Sequence, residues 1–372
     1  MTSLEDLATD LDRLVAEGLL AGWVAGLADA DDQTVLTGGH RSLGGPPMSE
    51  DTQFALSSST KPFAGVLTLR LAEIGVLSLD DPVARWLPEL VTPRVLSSPG
   101  ADLDDTRPAD RAITVADLLG MVPGFGWVAE PGPLADAIAA QPEIAPGPWG
   151  PPLPPDEFVA RIAALPLADQ PGTAWRYHTS SDVLSVLLAR ATDESVGHLL
   201  TEHVLGPLGL TDTAFHGDAD RMATAYGAPG PDEPGLAPFP VPPGTYVDVP
   251  VFESLAAGLV STVPDQLTFL SSLVGSSPAV LSPASLGDLR TDHLTTEQRR
   301  TATGFLQPGC GWGRHVEIRP EGWIGWAGGL GTIGYADPAT GRAAFLATQV
   351  SFDAGGTSRA FDRFWGLLAS AG

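Results

Sequence analysis

The chain has 372 residues, of which 43% are hydrophobic, and its formal net charge is −25. The hydrophobic fraction excludes disorder across the whole chain, and the length exceeds the range in which a single core keeps growing, so we expect one two-lobed unit or two domains. The acidic balance, with no cluster of basic residues, argues against a nucleic-acid partner.

Cys310 is the only cysteine, which excludes an intrachain disulfide and a cysteine-based metal site. Residues 1–20 are acidic and amphipathic, without the basic start and continuous apolar core of a secretory signal. No run of about 18 uncharged apolar residues occurs, so we expect no membrane span and no membrane partner. These observations predict a cytoplasmic protein, and they do not indicate its oligomeric state.

Leucines at helical spacing open the chain and predict a first helix, after which short apolar runs predict strands. The elements predicted in this first quarter are a helix over 3–19, strands over 22–29, 33–38 and 54–56, and a helix over 58–74. The Asp-rich turn Asp29–Asp32 joins the first two strands, and Gly75 is a natural stop for the second helix.

The middle of the chain alternates short helical patterns with stretches rich in proline and glycine, 141–155 and 227–250, which we interpret as ordered surface loops or lids. The later predicted elements are helices over 114–120, 155–165, 180–192, 194–205, 264–274, 282–290 and 358–369, with strands over 312–318, 331–336 and 343–350. Strands near both chain ends, with helices between them, predict one sheet assembled from the two ends and an active site in a cleft between two lobes.

Lys61 is the only lysine among 20 lysine and arginine residues, and Ser58 precedes it by three positions. Residues three apart share one face of a helix, and a lysine amine, unlike a guanidinium, can be driven toward its neutral form. The positive end of a helix and burial in a cleft both favour that form. The pair therefore predicts a serine nucleophile with its activating lysine, although serine and lysine at this spacing also occur by chance.

The segment Phe54–Phe63 resembles the nucleophile motif of penicillin-binding and class C β-lactamase-like serine hydrolases. Further segments resemble that family in the same order, namely Leu77–Val83, Ile113–Leu119, Pro207–Leu210 and Ala257–Thr262. The resemblance implies an α/β (α+β) fold, with an antiparallel sheet from N- and C-terminal strands, flanking helices and a mostly helical inserted lobe. It implies one catalytic domain, in which 1–90 and 251–372 form the α/β lobe and 91–250 the helical, loop-rich lobe.

The family's second motif, Tyr-x-Asn, corresponds to Tyr177-His178-Thr179, so that Thr179 stands in the asparagine position. The resemblance implies that Tyr177 shares or relays the Ser58 proton with Lys61. A phenol, with a pKa of about 10, can serve in this role near neutral pH only if a neighbouring cation lowers that pKa, and Lys61 is the cation expected to do so. A core tyrosine is the alternative. Because Thr179 replaces the asparagine, the sequence does not indicate which residue would contact a substrate amide. We interpret His178 as a cleft-wall or surface residue rather than a base.

The family's third motif, Lys-Thr-Gly or His-x-Gly, corresponds to Trp326-Ala327-Gly328-Gly329, which is similar to the family VIII esterases and related acyl transferases. The resemblance implies that the N–H groups of Ser58 and Gly329 bind the oxyanion, and that Gly328 and Trp326 contribute to the substrate pocket. Tryptophan cannot pair with the carboxylate of a penicillin or a peptide terminus. An uncharged acyl ester is therefore favoured.

Two other patterns are set aside. Gly329–Gly334 matches Gly-x-Gly-x-x-Gly but leads into a strand and a turn, where a dinucleotide site needs a helix. His198 and His203 lack the spacing of zinc ligands, so we expect neither a metal nor a cofactor.

The sequence thus predicts a metal-independent serine hydrolase that forms an acyl-enzyme on Ser58 and acts as a carboxylesterase on small uncharged esters. The alternatives are β-lactam or other amide hydrolysis, D-amino peptidase activity, acyl transfer to an alcohol, and a catalytically silent binding protein.

Overall fold

The computed structural model describes residues 3–29, 32–230, 233, 235–275 and 278–370. The interior of the predicted turn Asp29–Asp32 lies outside these residues. The helices are α1 (Leu4–Ala16), α2 (Lys61–Glu73), α3 (Val115–Leu119), α4 (Pro133–Ala139), α5 (Pro155–Ala163), α6 (Thr179–Thr192), α7 (Val196–Leu200), α8 (Gly206–Leu208), α9 (Val263–Ser272), α10 (Pro283–Leu289), α11 (Thr296–Thr301) and α12 (Gly356–Ser370).

In the described part of the chain, the strands form one seven-stranded sheet and three two-stranded sheets. They are β1 (Gly22–Asp29), β2 (Asp32–Gly39), β3 (Phe54–Ala55), β4 (Arg94–Leu96), β5 (Thr106–Pro108), β6 (Tyr226–Gly227), β7 (Ala237–Pro238), β8 (Val260–Ser261), β9 (Gly311–Trp312), β10 (Glu317–Ile318), β11 (Ile324–Gly328), β12 (Thr332–Ala336) and β13 (Ala343–Ala347).

The large sheet joins the two ends of the chain, as the sequence predicts. Its order is β2-β1-β13-β12-β11-β10-β9, and every neighbouring pair is antiparallel. The register places Val24 of β1 opposite Ala347 of β13. The antiparallel α/β fold inferred from the family resemblance is therefore confirmed.

Helix α1 shows how local sequence builds the outer layer of this fold. The Ser3 hydroxyl accepts a hydrogen bond from the Asp6 N–H, and the Asp6 carboxylate accepts one from the Ser3 N–H, which forms a capping box. The leucines at helical spacing that follow are buried, and they are Leu4, Leu7, Leu11 and Leu14. They belong to a core cluster with Phe364 of α12 and with residues of the sheet.

The structure corrects the sequence prediction at the third motif. Strand β11 was not among the predicted strands, because its two glycines weaken the strand pattern. The single strand predicted over 312–318 is wrong, since β9 and β10 form a hairpin there. The Gly313 N–H donates to the Val316 carbonyl at 2.8 Å, and His315 has a φ of 65°, so the chain reverses within the predicted strand.

A single hydrophobic cluster connects parts of the chain assigned to different lobes. It includes Leu67 of α2, Val183 and Leu187 of α6, and Phe345 of β13. The lobe boundaries at residues 90 and 250 stay a prediction. Within the residues that the structure describes, no helix combines the length and the apolar character needed to cross a membrane.

Candidate active site

Ser58 lies in a short helical turn that runs directly into α2. This 3₁₀ turn, Ser57–Thr60, is held at its start by the Ser59 N–H, which donates to the Leu56 carbonyl at 3.1 Å. Ser57 has a φ of 49°, a conformation that non-glycine residues rarely adopt, and such strain is concentrated at functional sites. Ser58 therefore lies at the start of a helix, where it lines a cavity.

Lys61 is fully buried one turn later. Its Nζ lies 3.0 Å from the Ser58 Oγ and donates to the Ala256 carbonyl at 2.8 Å. Burial lowers the pKa of Lys61 from 10.5 to about 7, and the nearby Asp182 charge raises it in part. The predicted pair of hydroxyl and amine is therefore in contact, and a substantial fraction of the amine is neutral near pH 7.

Tyr177 reaches the site on a strained turn that precedes α6. His178 has a φ of 81° and a ψ of −73°, and the Thr179 N–H donates to the Tyr177 carbonyl at 3.2 Å, which together define a γ-turn of the rare positive-φ form. The Trp127 N–H also donates to that carbonyl, at 2.8 Å. The turn exposes the side chains of Tyr177 and His178 to the same cavity.

Burial favours the O–H form of the Tyr177 phenol. The Trp326 Nε1–H donates to the phenol oxygen at 2.7 Å, and the Lys61 Nζ lies 4.5 Å from the ring centroid, over its face. Burial raises the pKa of Tyr177 above its usual value of 10, while hydrogen bonding by Ser58 and Trp326 acts in the opposite direction. The expectation that Lys61 lowers this pKa is therefore wrong, because desolvation dominates.

Strand β11 carries Trp326 and Gly328 of the third motif, and Gly329 follows directly after the strand. A Cβ on Gly328 would lie 2.1 Å from the Leu56 carbonyl oxygen, so only glycine allows β11 to pack against the turn that holds Ser58. A Cβ on Gly329 would meet nothing closer than the Ser57 Oγ at 3.8 Å. Gly328 therefore has a packing role, and Gly329 faces the cavity.

The backbone N–H groups of Ser58 and Gly329 make no hydrogen bond within the described parts of the chain. Buried or partly buried N–H groups are rarely left unpaired, and those aimed at a site of developing charge stabilise an oxyanion. Both residues line the same cavity. The two groups expected as oxyanion donors are therefore available.

The cavity has a volume of about 550 Å³ and is largely apolar. Trp127, Phe305 and Phe352 contribute aromatic walls, and residues 146–148 of the first proline-rich stretch form one side. Thr179 is not at this wall; it is buried and lines a smaller neighbouring cavity instead. The γ-turn thus directs Tyr177 and His178, but not Thr179, toward the nucleophile.

The cavity wall also includes Arg319 and Glu317. The Arg319 guanidinium stacks over the Trp365 ring at 4.1 Å and lies 3.8 Å from the Glu317 carboxylate and 3.7 Å from that of Glu321. Because two carboxylates face one guanidinium, this part of the wall does not form a net positive site for a substrate carboxylate.

Asp182 is a site residue that sequence reasoning missed, and His178, which the sequence analysis assigned to the cleft wall or the surface, lies on the cavity wall and contacts both Asp182 and Lys61. Both are buried, with 4% and 3% of their surfaces exposed. The His178 Nδ1 lies 3.5 Å from the Lys61 Nζ, and its Nε2 lies 3.4 Å from the Asp182 carboxylate. The available signal was their separation of four positions at a predicted helix start, which places both side chains on one face.

Two further groups have no part in this arrangement. Cys310 is buried and free, and burial raises the pKa of its thiol to about 12, so it is not a thiolate nucleophile. On the surface, Glu194, His198 and Glu202 bring possible ligand atoms within 4.8 Å of one another, but all three are exposed and none lines the cavity.

Comparisons with known proteins extend this picture over most of the chain. A family model described as Beta-lactamase matches residues 7–363. An uncharacterized protein of Mycobacterium tuberculosis is 36% identical over 316 residues, which cover 82% of this chain and 73% of that protein. Esterase EstB of Burkholderia gladioli is 30% identical over 336 residues, which cover 83% of this chain and 80% of that protein. The solved structure of EstCE1, described as a hydrolase with promiscuous acyltransferase activity, superposes with a TM-score of 0.80 at 25% identity over 94% of both chains.

Proposed function

The chain belongs to the beta-lactamase family, and we propose that within this family it is a serine hydrolase that forms an acyl-enzyme on Ser58 and cleaves small, uncharged carboxylic esters. The contact that carries this proposal is the 3.0 Å approach of the Ser58 Oγ to a buried lysine amine. The names of the similar proteins, an esterase and a hydrolase, support the same reaction class.

Acylation begins at the Ser58 hydroxyl. Its proton passes to the neutral Lys61 amine while Oγ bonds to the ester carbonyl carbon, and the carbonyl π electrons move onto the oxygen. The N–H groups of Ser58 and Gly329 hold that oxyanion. When the electron pair returns, the bond to the alcohol oxygen breaks. The Lys61 ammonium donates its proton to the departing alkoxide, and the Tyr177 O–H donates a hydrogen bond to the same alkoxide oxygen.

Deacylation repeats these steps with water. Lys61 takes a proton from the water, the water oxygen bonds to the acyl carbon, and the Ser58 Oγ leaves with the proton returned by Lys61. One ester and one water thus give one acid and one alcohol. Lys61 gains and loses one proton in each half of the cycle, so it ends the cycle in the protonation state in which it began.

The preference for an uncharged ester rests on the cavity wall. The family resemblance implies that Trp326 replaces a cation that would pair with a substrate carboxylate, and its indole N–H donates to the Tyr177 oxygen. Arg319 is faced by Glu317 and Glu321. The substrate partner is therefore a small-molecule ester, and a cytoplasmic location stays a prediction.

Mass spectrometry and two chromogenic substrates test the proposal. We expect a fluorophosphonate to add one covalent group to the wild type and none to Ser58→Ala, because the nucleophilic oxygen is lost. We also expect p-nitrophenyl butyrate to turn over faster than nitrocefin. An unlabelled wild type would identify a silent binding protein, and faster nitrocefin turnover would show that the cavity prefers a β-lactam.

A further inference from the structure

His178 stands between two groups of opposite character. On one side its Nδ1 lies 3.5 Å from the Lys61 Nζ, and on the other its Nε2 lies 3.4 Å from the Asp182 carboxylate. Lys61, His178 and Asp182 are all buried, so water does not compete for these contacts. A neutral imidazole has one donor nitrogen and one acceptor nitrogen, and Asp182 can only accept, so the Nε2–H faces Asp182 and the Nδ1 lone pair faces Lys61.

In this tautomer, the His178 Nδ1 supplies the second hydrogen-bond acceptor that a neutral lysine amine needs for its two N–H groups. Such an amine has two N–H groups and one lone pair. Among the described residues, the acceptors around the Lys61 Nζ are the Ala256 carbonyl at 2.8 Å and the His178 Nδ1 at 3.5 Å, and its third hydrogen-bond neighbour is the Ser58 Oγ at 3.0 Å. When both N–H groups bind their acceptors, the lone pair is directed at the Ser58 hydroxyl. That is the orientation that a general base needs.

Ser254 links the Asp182 carboxylate to the backbone at Ala256. Its hydroxyl donates to the Asp182 carboxylate at 2.6 Å and accepts from the Ala256 N–H at 3.1 Å. The Ala257 N–H, which belongs to the same peptide unit as the Ala256 carbonyl, also donates to the Ser254 hydroxyl, at 3.3 Å. A closed ring of contacts therefore runs from Lys61 through His178, Asp182 and Ser254 to this peptide unit and back to Lys61. The strained turn at His178 belongs to this ring, since a φ of 81° is what aims the imidazole between the amine and the carboxylate.

We propose that His178, held in one tautomer by Asp182, orients the Lys61 amine so that its lone pair meets the Ser58 hydroxyl. His178 and Asp182 are then positioning residues for acylation, and Lys61 remains the base. The inference rests on the proposed function, because it needs Ser58 to be a nucleophile.

The charges around His178 are consistent with a neutral ring. The titratable groups that face it are Lys61 of α2, Asp182 of α6 and Tyr177 of the preceding turn. Burial and the Lys61 charge lower the pKa of His178, while Asp182 raises it. His315 lies deeper, bonded to Ser181 and to a backbone carbonyl, and its own pKa is lowered to about 3 by burial. Both histidines are therefore neutral acceptors at physiological pH.

Asp182→Asn is the first test. An amide can donate its N–H to the His178 Nε2, which places a proton on Nδ1 facing Lys61 and removes the acceptor. We expect the rate of Ser58 labelling by a fluorophosphonate to fall about 100-fold. The acid limb of its pH profile should also move to lower pH, because the Asp182 charge that raises the pKa of Lys61 is gone. Asp265→Asn is the matched control, since Asp265 is a buried helix-start carboxylate bonded to Thr213, outside this ring.

His178 itself gives the second test. Asn tolerates the positive φ and keeps an acceptor near the Nδ1 position, whereas Gly tolerates the φ and has none. We expect His178→Asn to label Ser58 at a rate within about tenfold of wild type and His178→Gly about 100-fold more slowly, with imidazole in the buffer restoring part of the loss. A merely structural residue would show neither the imidazole effect nor a shifted pH profile.

The outcomes separate this inference from the proposed function. If wild type is labelled at Ser58, and Asp182→Asn and His178→Gly match it in rate and pH profile, the positioning role is refuted and the serine hydrolase stands. If wild type is not labelled, both proposals fail. If Asp265→Asn loses as much labelling as Asp182→Asn, the effect comes from general destabilisation and the positioning role is likewise rejected.

Discussion

At the scale of single residues, the chemistry depends on how far burial changes the proton affinity of one amine. Lys61 has no exposed surface, and desolvation lowers its pKa to about 7. A base with a pKa near the working pH combines a useful neutral fraction with useful basicity. The same desolvation raises the pKa of Tyr177, so the two groups have different roles although they share one environment.

The pH dependence of ester hydrolysis follows from this assignment. Because the neutral amine is the active form and protonation removes it, we expect kcat/KM to fall about tenfold per pH unit below pH 7 and to level off above it. Lys61→Arg should lose about 10²- to 10⁴-fold in kcat/KM, since a guanidinium stays protonated. A pH–rate series on p-nitrophenyl butyrate measures both, and an unchanged acid limb in Lys61→Arg would assign the base elsewhere.

The residue-level content of the site could be predicted from the sequence in part. Ser58 and Lys61 were accessible because a spacing of three within a helix fixes their proximity locally. Tyr177 and Gly329 were accessible only through the family resemblance, since nothing in their local sequence brings them to Ser58. The role proposed for His178 could not be predicted from the sequence, because it depends on a γ-turn that no simple sequence pattern predicts.

At the scale of elements, the site is built where β11 meets the turn that starts α2. Thr332 of β12 strengthens this junction, since its hydroxyl donates to the Leu56 carbonyl at 2.8 Å and lies 2.9 Å from the Ser59 Oγ. Gly328 allows the two elements to approach each other. The sequence did not predict β11, because its glycines serve this close approach rather than strand propensity.

Gly328→Ala tests this junction. The added Cβ would lie 2.1 Å from a backbone oxygen, so the strand or the turn must shift, and we expect a loss of several degrees in the thermal unfolding midpoint together with loss of activity. Gly287→Ala is the control, because Gly287 lies within α10 with nothing within 4 Å of the added carbon. That variant should be as stable as wild type or slightly more so. Equal midpoints for the two variants would contradict the packing role of Gly328.

At the scale of the whole molecule, the two predicted lobes share one hydrophobic core. Val183 of the helical segment and Phe345 of the sheet belong to the same cluster, which also contains Leu67 of α2. The sequence indicated both lobes from element order alone. It could not indicate how tightly they are coupled, because that depends on contacts between residues more than 100 positions apart.

Calorimetry tests this coupling. Since the shared core makes neither lobe complete without the other, we expect one unfolding transition in which the calorimetric and van't Hoff enthalpies agree. The separate segment 91–250 should not unfold cooperatively, because it lacks the apolar partners of Val183 and Leu187. Two resolved transitions, or a cooperative isolated segment, would show that the lobes fold independently.

The sheet that joins the two ends of the chain has a consequence for biosynthesis. The ribosome makes Ser58 and Lys61 before Tyr177, and it makes Gly329 after all three. Strand β1 lies between β2 and β13, so one of its two edges stays unpaired until β13 has been synthesised. A nascent polypeptide that has not reached Gly329 therefore carries the nucleophile without its second oxyanion donor, and hydrolytic competence arises only after that residue has been added.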